Sequence, residues 1–99
     1  YITGRTQFYG YSFKVSPDVL IPRPETERVV DVVLDTIGNI TKPKILEVGS
    51  GSGCIAVSIG AEKRDAYILS VDVSEPAINQ ARKNADLNAT TNVDFIVLD

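Results

Sequence analysis

Three alternating glycines and two carboxylates are the residues of this sequence whose types and spacing could do chemistry. Gly49-Ser50-Gly51-Ser52-Gly53 follows Lys44-Ile45-Leu46-Glu47-Val48 and precedes Cys54-Ile55-Ala56-Val57-Ser58-Ile59. Strand, glycine turn and helix in that order present backbone N–H groups and the positive end of a helix to a nucleotide-like ligand. The spacing is G-x-G-x-G, whereas the dinucleotide fingerprint G-x-G-x-x-G needs glycine where Cys54 stands. Glu47, two residues before the first glycine, would repel a pyrophosphate and suit a cationic, zwitterionic ligand. S-adenosylmethionine is such a ligand: its ammonium and sulfonium are cationic, and its carboxylate can meet the N–H groups of Gly49–Gly53 and the helix start. The plain alternative for Glu47 is a strand-end carboxylate bonded to backbone.

Asp72 stands nineteen residues beyond Gly53, at the end of the next apolar run. In a doubly wound sheet that strand end lies beside the glycine loop, where a carboxylate can accept both hydroxyls of a ribose. The alternative is a helix cap, a role that Ser74 also fits. Asp99 ends a third run farther along the same edge and could accept from an adenine amino group. The 99 residues contain no histidine and one cysteine, Cys54. Ser-His-Asp and Cys-His catalysis are thereby excluded, as is a zinc site, and the single cysteine fits a cytoplasmic chain.

These residues need an α/β frame, and the periodicities supply one. Aromatics and Val15 at positions 9, 11, 13 and 15 alternate as in a strand, with Gly10 marking a turn or bulge, so residues 1–22 are expected to be a β-hairpin and linker. A helix is expected from Pro24, with Glu25 and Glu27 in its first turn and Val29, Val30, Val33, Leu34 and Ile37 on one face. Gly38-Asn39 closes it. Then come a strand at 44–48, a well-buried helix at 53–62, a strand at 66–72, a helix capped by Ser74, and a strand at 92–98. In the last helix Ala77, Ile78, Ala81 and Ala85 face inward, and Asn79, Gln80, Arg82 and Lys83 face out. The pattern β-α-β-α-β specifies a parallel sheet with right-handed crossovers. A net charge of −3 with scattered Lys and Arg argues against direct nucleic-acid binding, and no apolar run is long enough to span a membrane. No signal peptide is visible.

Ile45–Gly53 with Asp72 resembles the first two motifs of class I S-adenosylmethionine-dependent methyltransferases. Leu20-Ile21-Pro22-Arg23-Pro24-Glu25-Thr26-Glu27 is more specific. With Tyr1-Ile2-Thr3-Gly4, Gln7-Phe8-Tyr9-Gly10, Phe13-Lys14-Val15 and Ala77–Asn88, it resembles the HemK/PrmC family of release factor glutamine-N5 methyltransferases. The resemblance implies the N-terminal half of a Rossmann-like class I methyltransferase sheet at 23–99, preceded by the hairpin and a helix. It implies transfer of a methyl group from S-adenosylmethionine to the glutamine of a Gly-Gly-Gln motif in a class I peptide chain release factor. Gly49, Ser50, Gly51, Ser52 and Gly53 would cradle the methionine part, Asp72 the ribose and Asp99 the adenine, with Arg23 and Thr26 at the mouth. The family's Asn-Pro-Pro-Tyr tetrapeptide and N-terminal helical domain do not occur here, so the expectation is a truncated chain with a cofactor half, no catalytic clamp and no activity of its own. Other readings share the same residues: an amino-methyltransferase acting on adenine or cytosine in nucleic acid, a dinucleotide enzyme, or a non-catalytic half-Rossmann module that self-associates through the unpaired edge of Lys44–Val48.

Overall fold

The computed structural model describes residues 4–15 and 24–98. A hairpin, β1 (Gly4–Phe8) and β2 (Tyr11–Val15), precedes a short 3-10 turn at Pro24–Thr26 and helix α1 (Glu27–Ile37). Then follow β3 (Lys44–Val48), α2 (Cys54–Glu62), β4 (Tyr67–Asp72), α3 (Glu75–Leu87) and β5 (Val93–Val97). The last three strands form a parallel sheet in the order β3-β4-β5. Both crossovers advance in one direction across the sheet, and right-handed connections therefore place α2 and α3 on the same face. That face carries Ile45, Ile68, Ser70, Val93 and Phe95, which register side by side and are wholly or partly buried. On the other face Leu46 and Val48 are 65% and 76% exposed. Among the described residues β3 pairs with β4 alone, so the edge expected at Lys44–Val48 is unpaired.

Helix α2 is buried along Cys54, Ala56, Val57, Ser58, Ile59 and Gly60, as its nearly all-apolar sequence requires. Helix α3 starts at Ser74, whose Oγ accepts from the Ala77 N–H, and buries Ala77, Ile78, Ala81 and Ala85. In α1 the buried positions are Val30 and Ile37, with Val33 and Leu34 half-buried. Val29, expected on that face, is 46% exposed; the inner stripe is narrower because only one side of α1 rests on α2. Gly38 does follow α1, but at φ −53° it continues right-handed rather than forming a left-handed cap.

The hairpin turns at Tyr9–Gly10, both at positive φ (54° and 81°). Positive φ at both central residues matches the twist of the flanking strands. Tyr9 is therefore a turn residue and not part of the expected alternation, and it is Phe8 and Phe13 that stack edge to face in the core at 6.1 Å. The tyrosines tie the hairpin to the helices instead. The Tyr9 N–H donates to Glu27, its hydroxyl donates to Asp31 one turn along α1, and the Tyr11 hydroxyl donates to Glu62 at the end of α2.

At the C-terminus of α2 the last carbonyls lack helical partners. Asn92, just before β5, supplies a donor there and at the approach to β4: its Nδ2 donates toward the carbonyl oxygens of Gly60 and Lys63 at 3.1 and 3.2 Å and of Ala66 at 2.9 Å. Replacing Asn92 with alanine leaves those oxygens without this donor, and a loss of about 1–3 kcal/mol is expected. A shifted midpoint in urea unfolding with unchanged slope checks it; an unshifted midpoint removes Asn92 from the stability of the α2 terminus.

Candidate functional site

The site is the turn from β3 into α2. Gly49, Gly51 and Gly53 stand at φ 90°, 55° and 86°, all left-handed, with Ser50 and Ser52 buried between them. L-residues rarely adopt such angles, so three in five positions demand glycine. A Cβ on Gly49 or Gly51 would meet nothing within 4 Å: those two are required for their angles and leave open space above the loop. Gly53 is different. A Cβ there would lie 2.9 Å from Ala81 Cβ, so its glycine also lets α2 and α3 pack closely. Gly53 precedes α2 with no side-chain cap, leaving the first helical N–H groups to other partners.

Hydrogen bonds from neighbouring elements fix the loop. The Gly49 N–H donates to the Val71 carbonyl at 2.7 Å and the Gly53 N–H to the Ser50 carbonyl at 2.9 Å. Ser50 and Ser70 hydroxyls meet at 2.6 Å in the interior, and the Ser70 hydroxyl donates to Glu47 Oε1 at 2.5 Å. With Glu47 ionised, Ser70 gives it its one proton, so Ser50 is then the donor between the two serines. Glu47 thus has a side-chain partner, Ser70, rather than the backbone bond of the plain alternative.

Asp72 lies at the end of β4 beside the loop, as its spacing requires. Its Oδ1 accepts from the Ser74 N–H at 2.9 Å, and its Oδ2 lies 3.4 Å from the Gly51 N–H. It therefore contributes at the α3 start, alongside Ser74, and also reaches the glycine loop. Those backbone N–H groups, Ser74 first, hold its carboxyl below the usual range. Burial pushes Glu47 the other way, up to about 7; the Ser70 hydrogen bond opposes the rise and the charge of Asp72 adds to it. Burial likewise pushes the Cys54 thiol up to about 12, which keeps it protonated and unreactive in the core.

Thr26 stands at the N-terminus of α1, half-buried, with no side-chain bond capping that helix. Arg23 and Asp99 lie outside the described residues. The sequence reading missed two polar residues that the loop uses, Ser70 and Asn84. Both are fully buried, and Asn84 Nδ2 donates to the Ser52 carbonyl at 2.7 Å. A polar residue on the inward stripe of α3, three positions after Ala81 and next to Ala85, was the available signal for Asn84. Among the described residues no group of His, Cys, Asp and Glu could hold a metal, and no helix is long and apolar enough to cross a membrane.

Residues 41–99 match a family model described as a methyltransferase domain. The release factor glutamine methyltransferase of Burkholderia pseudomallei is 49% identical over 84 residues, covering 85% of this chain and 30% of that protein. The chain spans about a third of the length of the curated relatives it matches. Among solved structures, the human methyltransferase 10 domain containing protein superposes with a TM-score of 0.75 at 26% identity, over 92% of this chain and 47% of that one. The N-terminal domain of human METTL16, solved in complex with SAH, gives 0.75 at 26% identity, over 91% of this chain and 37% of that one.

Glu47 binds its proton more tightly folded than unfolded. Its contribution to stability is then fully present below about 4.5 and lost as pH rises through about 7, by at most about 3 kcal/mol. Glu47→Gln removes this dependence, so its stability relative to the wild type should climb across that window. Urea midpoints of both proteins between pH 4 and pH 8 check it; parallel profiles would place the titration elsewhere.

Proposed function

The chain belongs to the methyltransferase-domain family, and on that premise we propose that it is the cofactor-binding half of an S-adenosylmethionine-dependent release factor glutamine methyltransferase. One observation carries the cofactor reading. The open, left-handed glycines 49 and 51 lie between two carboxylates of unlike character, Glu47 and Asp72. A pyrophosphate would meet repulsion there, whereas a zwitterionic nucleoside would find a partner for each of its charges.

The cofactor supplies an electrophilic methyl group when bound. The chain's own residues bind and orient. The glycine N–H groups are held within the protein, so it is the uncapped start of α2, from Cys54, that offers N–H groups to a carboxylate. Glu47 offers an acceptor to the ammonium, and a cation placed beside it favours its ionised form. Asp72, kept ionised by backbone N–H groups, can accept from the ribose hydroxyls. Asp99 at the adenine and Arg23 and Thr26 at the mouth complete the reading. No residue of this chain is assigned to the transfer itself, since Asn-Pro-Pro-Tyr does not occur in it.

The acceptor is the side-chain amide of the glutamine in a release factor Gly-Gly-Gln motif. The relatives named for that activity, and the chain's net charge of −3 without a basic stripe, support a protein acceptor over nucleic acid. The work is cytoplasmic, where translation ends. In domain terms residues 1–22 form the hairpin and linker and 23–99 the cofactor half.

Calorimetric titration of the protein as its gene encodes it, with S-adenosylhomocysteine and with NAD, tests the cofactor class. Binding of the first and not the second is expected, and the reverse overturns the reading. Asp72→Ala should weaken S-adenosylhomocysteine binding by about 10- to 100-fold, the scale of a charge-assisted hydrogen bond; equal affinity would take Asp72 out of the site. Methyl transfer to a class I release factor, lost when its Gly-Gly-Gln glutamine is changed, tests the substrate; transfer to an RNA or DNA base instead would overturn it.

A further inference from the structure

Helix α3 holds the hairpin by an asparagine ladder. Asn84 is fully buried, and all of its amide capacity in this contact is used: its Oδ1 accepts from the Lys14 N–H at 2.6 Å, and its Nδ2 donates to the Lys14 carbonyl at 3.0 Å. One turn later Asn88 Nδ2 donates to the Ser12 carbonyl at 2.8 Å. The spacings match: four helical residues rise about 6 Å, and two strand residues span about 7 Å. A helix therefore satisfies the outer backbone edge of β2 as a further strand would, which also shields that edge.

The two asparagines are not equivalent. The Nδ2 that binds the Lys14 carbonyl also binds the Ser52 carbonyl in the glycine loop, at 2.7 Å. Ser52 sits between two left-handed glycines, and its carbonyl orientation sets the peptide plane joining it to Gly53. The Asn88 side chain makes no such bond; its Nδ2 otherwise donates to the Asn84 carbonyl, at the end of α3. One buried carboxamide thus spans the hairpin, α3 and the loop.

From this juxtaposition we infer that Asn84 is a positioning residue that couples docking of the β1–β2 hairpin to the binding-competent shape of the glycine loop, so that a ligand on Gly49–Gly53 stabilises the hairpin. This rests on the cofactor reading above. Coupling is reciprocal: what the ligand gives to the hairpin, the docked hairpin gives to ligand affinity. A buried amide cannot release one of its partners without leaving a desolvated polar group behind, which is what makes the two contacts stand or fall together.

Amide hydrogen exchange with and without saturating S-adenosylhomocysteine reads this directly, using the protein as its gene encodes it. In the wild type the ligand should slow exchange at residues 49–53 and also across 4–15. In Asn84→Ala affinity should fall about tenfold, the scale of one lost buried hydrogen bond, and at saturation the protection should stop at the loop. Asn88→Ala should speed exchange of the free hairpin yet keep wild-type affinity and transmitted protection. That difference separates positioning from a merely structural role, which would move both variants alike. Ligand binding without hairpin protection in the wild type, or full transmission in Asn84→Ala, overturns the coupling alone. Failure of the wild type to bind overturns the cofactor reading and the coupling with it.

Discussion

Turning the chain from the end of β3 into α2 requires three left-handed residues in five, and the rest of the fold supports that turn. The neighbouring strand receives the Gly49 N–H through the Val71 carbonyl, and the interior receives Ser50 through Ser70. Asp72 reaches Gly51 from the end of β4, and Asn84 grips Ser52 from α3. Without these bonds a glycine-rich segment would keep the conformational freedom that makes it costly to order. With them the loop is pre-formed, and the open space over Gly49 and Gly51 is available without rearrangement.

The same supports divide the electrostatics. Two carboxylates flank the loop, and their surroundings drive them apart. Asp72 faces backbone N–H groups and stays ionised, while Glu47 faces the interior and a hydroxyl. The direction of the serine chain follows the state of Glu47. Ionised, it draws the Ser70 proton, and Ser50 donates inward. Protonated, it can donate to Ser70, which then turns its proton toward Ser50. The polarity of a buried hydroxyl under the loop is thus set by a group that titrates near neutrality, and a cation beside Glu47 would hold it in the inward-donating state.

Much of this was readable in the residues. The alternation of apolar runs gave β-α-β-α-β, because period and turn chemistry are local properties that the parallel sheet did not override. Glycines 49, 51 and 53 and the spacing to Asp72 marked the turn for the same reason. Local reading failed where a distant partner decides. Tyr9 looked like a strand residue but bends the hairpin, and its polar atoms go to Glu27 and Asp31, eighteen and twenty-two residues away. Val29 has the right spacing for the inner face of α1 and still meets solvent. Ser70 and Asn84 are polar residues inside apolar stripes, and only the geometry of the loop shows why a carboxamide and a hydroxyl are tolerated there. The resemblance peaked at Pro22-Arg23-Pro24, and Arg23, like Asp99, falls outside the described residues.

The hairpin shows how such long-range polar contacts change what an element means. Phe8 and Phe13, among the largest fully buried side chains of the described residues, anchor it in the core together with Val15. Its orientation comes from polar contacts with three separate helices, through Glu27 and Asp31 on α1, Glu62 on α2, and Asn84 and Asn88 on α3. Each of these bonds is worth about 1–3 kcal/mol net, with those to carboxylates at the upper end. Together they can be satisfied only when all three helices hold their places, so a docked hairpin reports an assembled helical layer. The bond that extends beyond that layer is Asn84 to Ser52, and through it the layer's assembly becomes a condition on the loop.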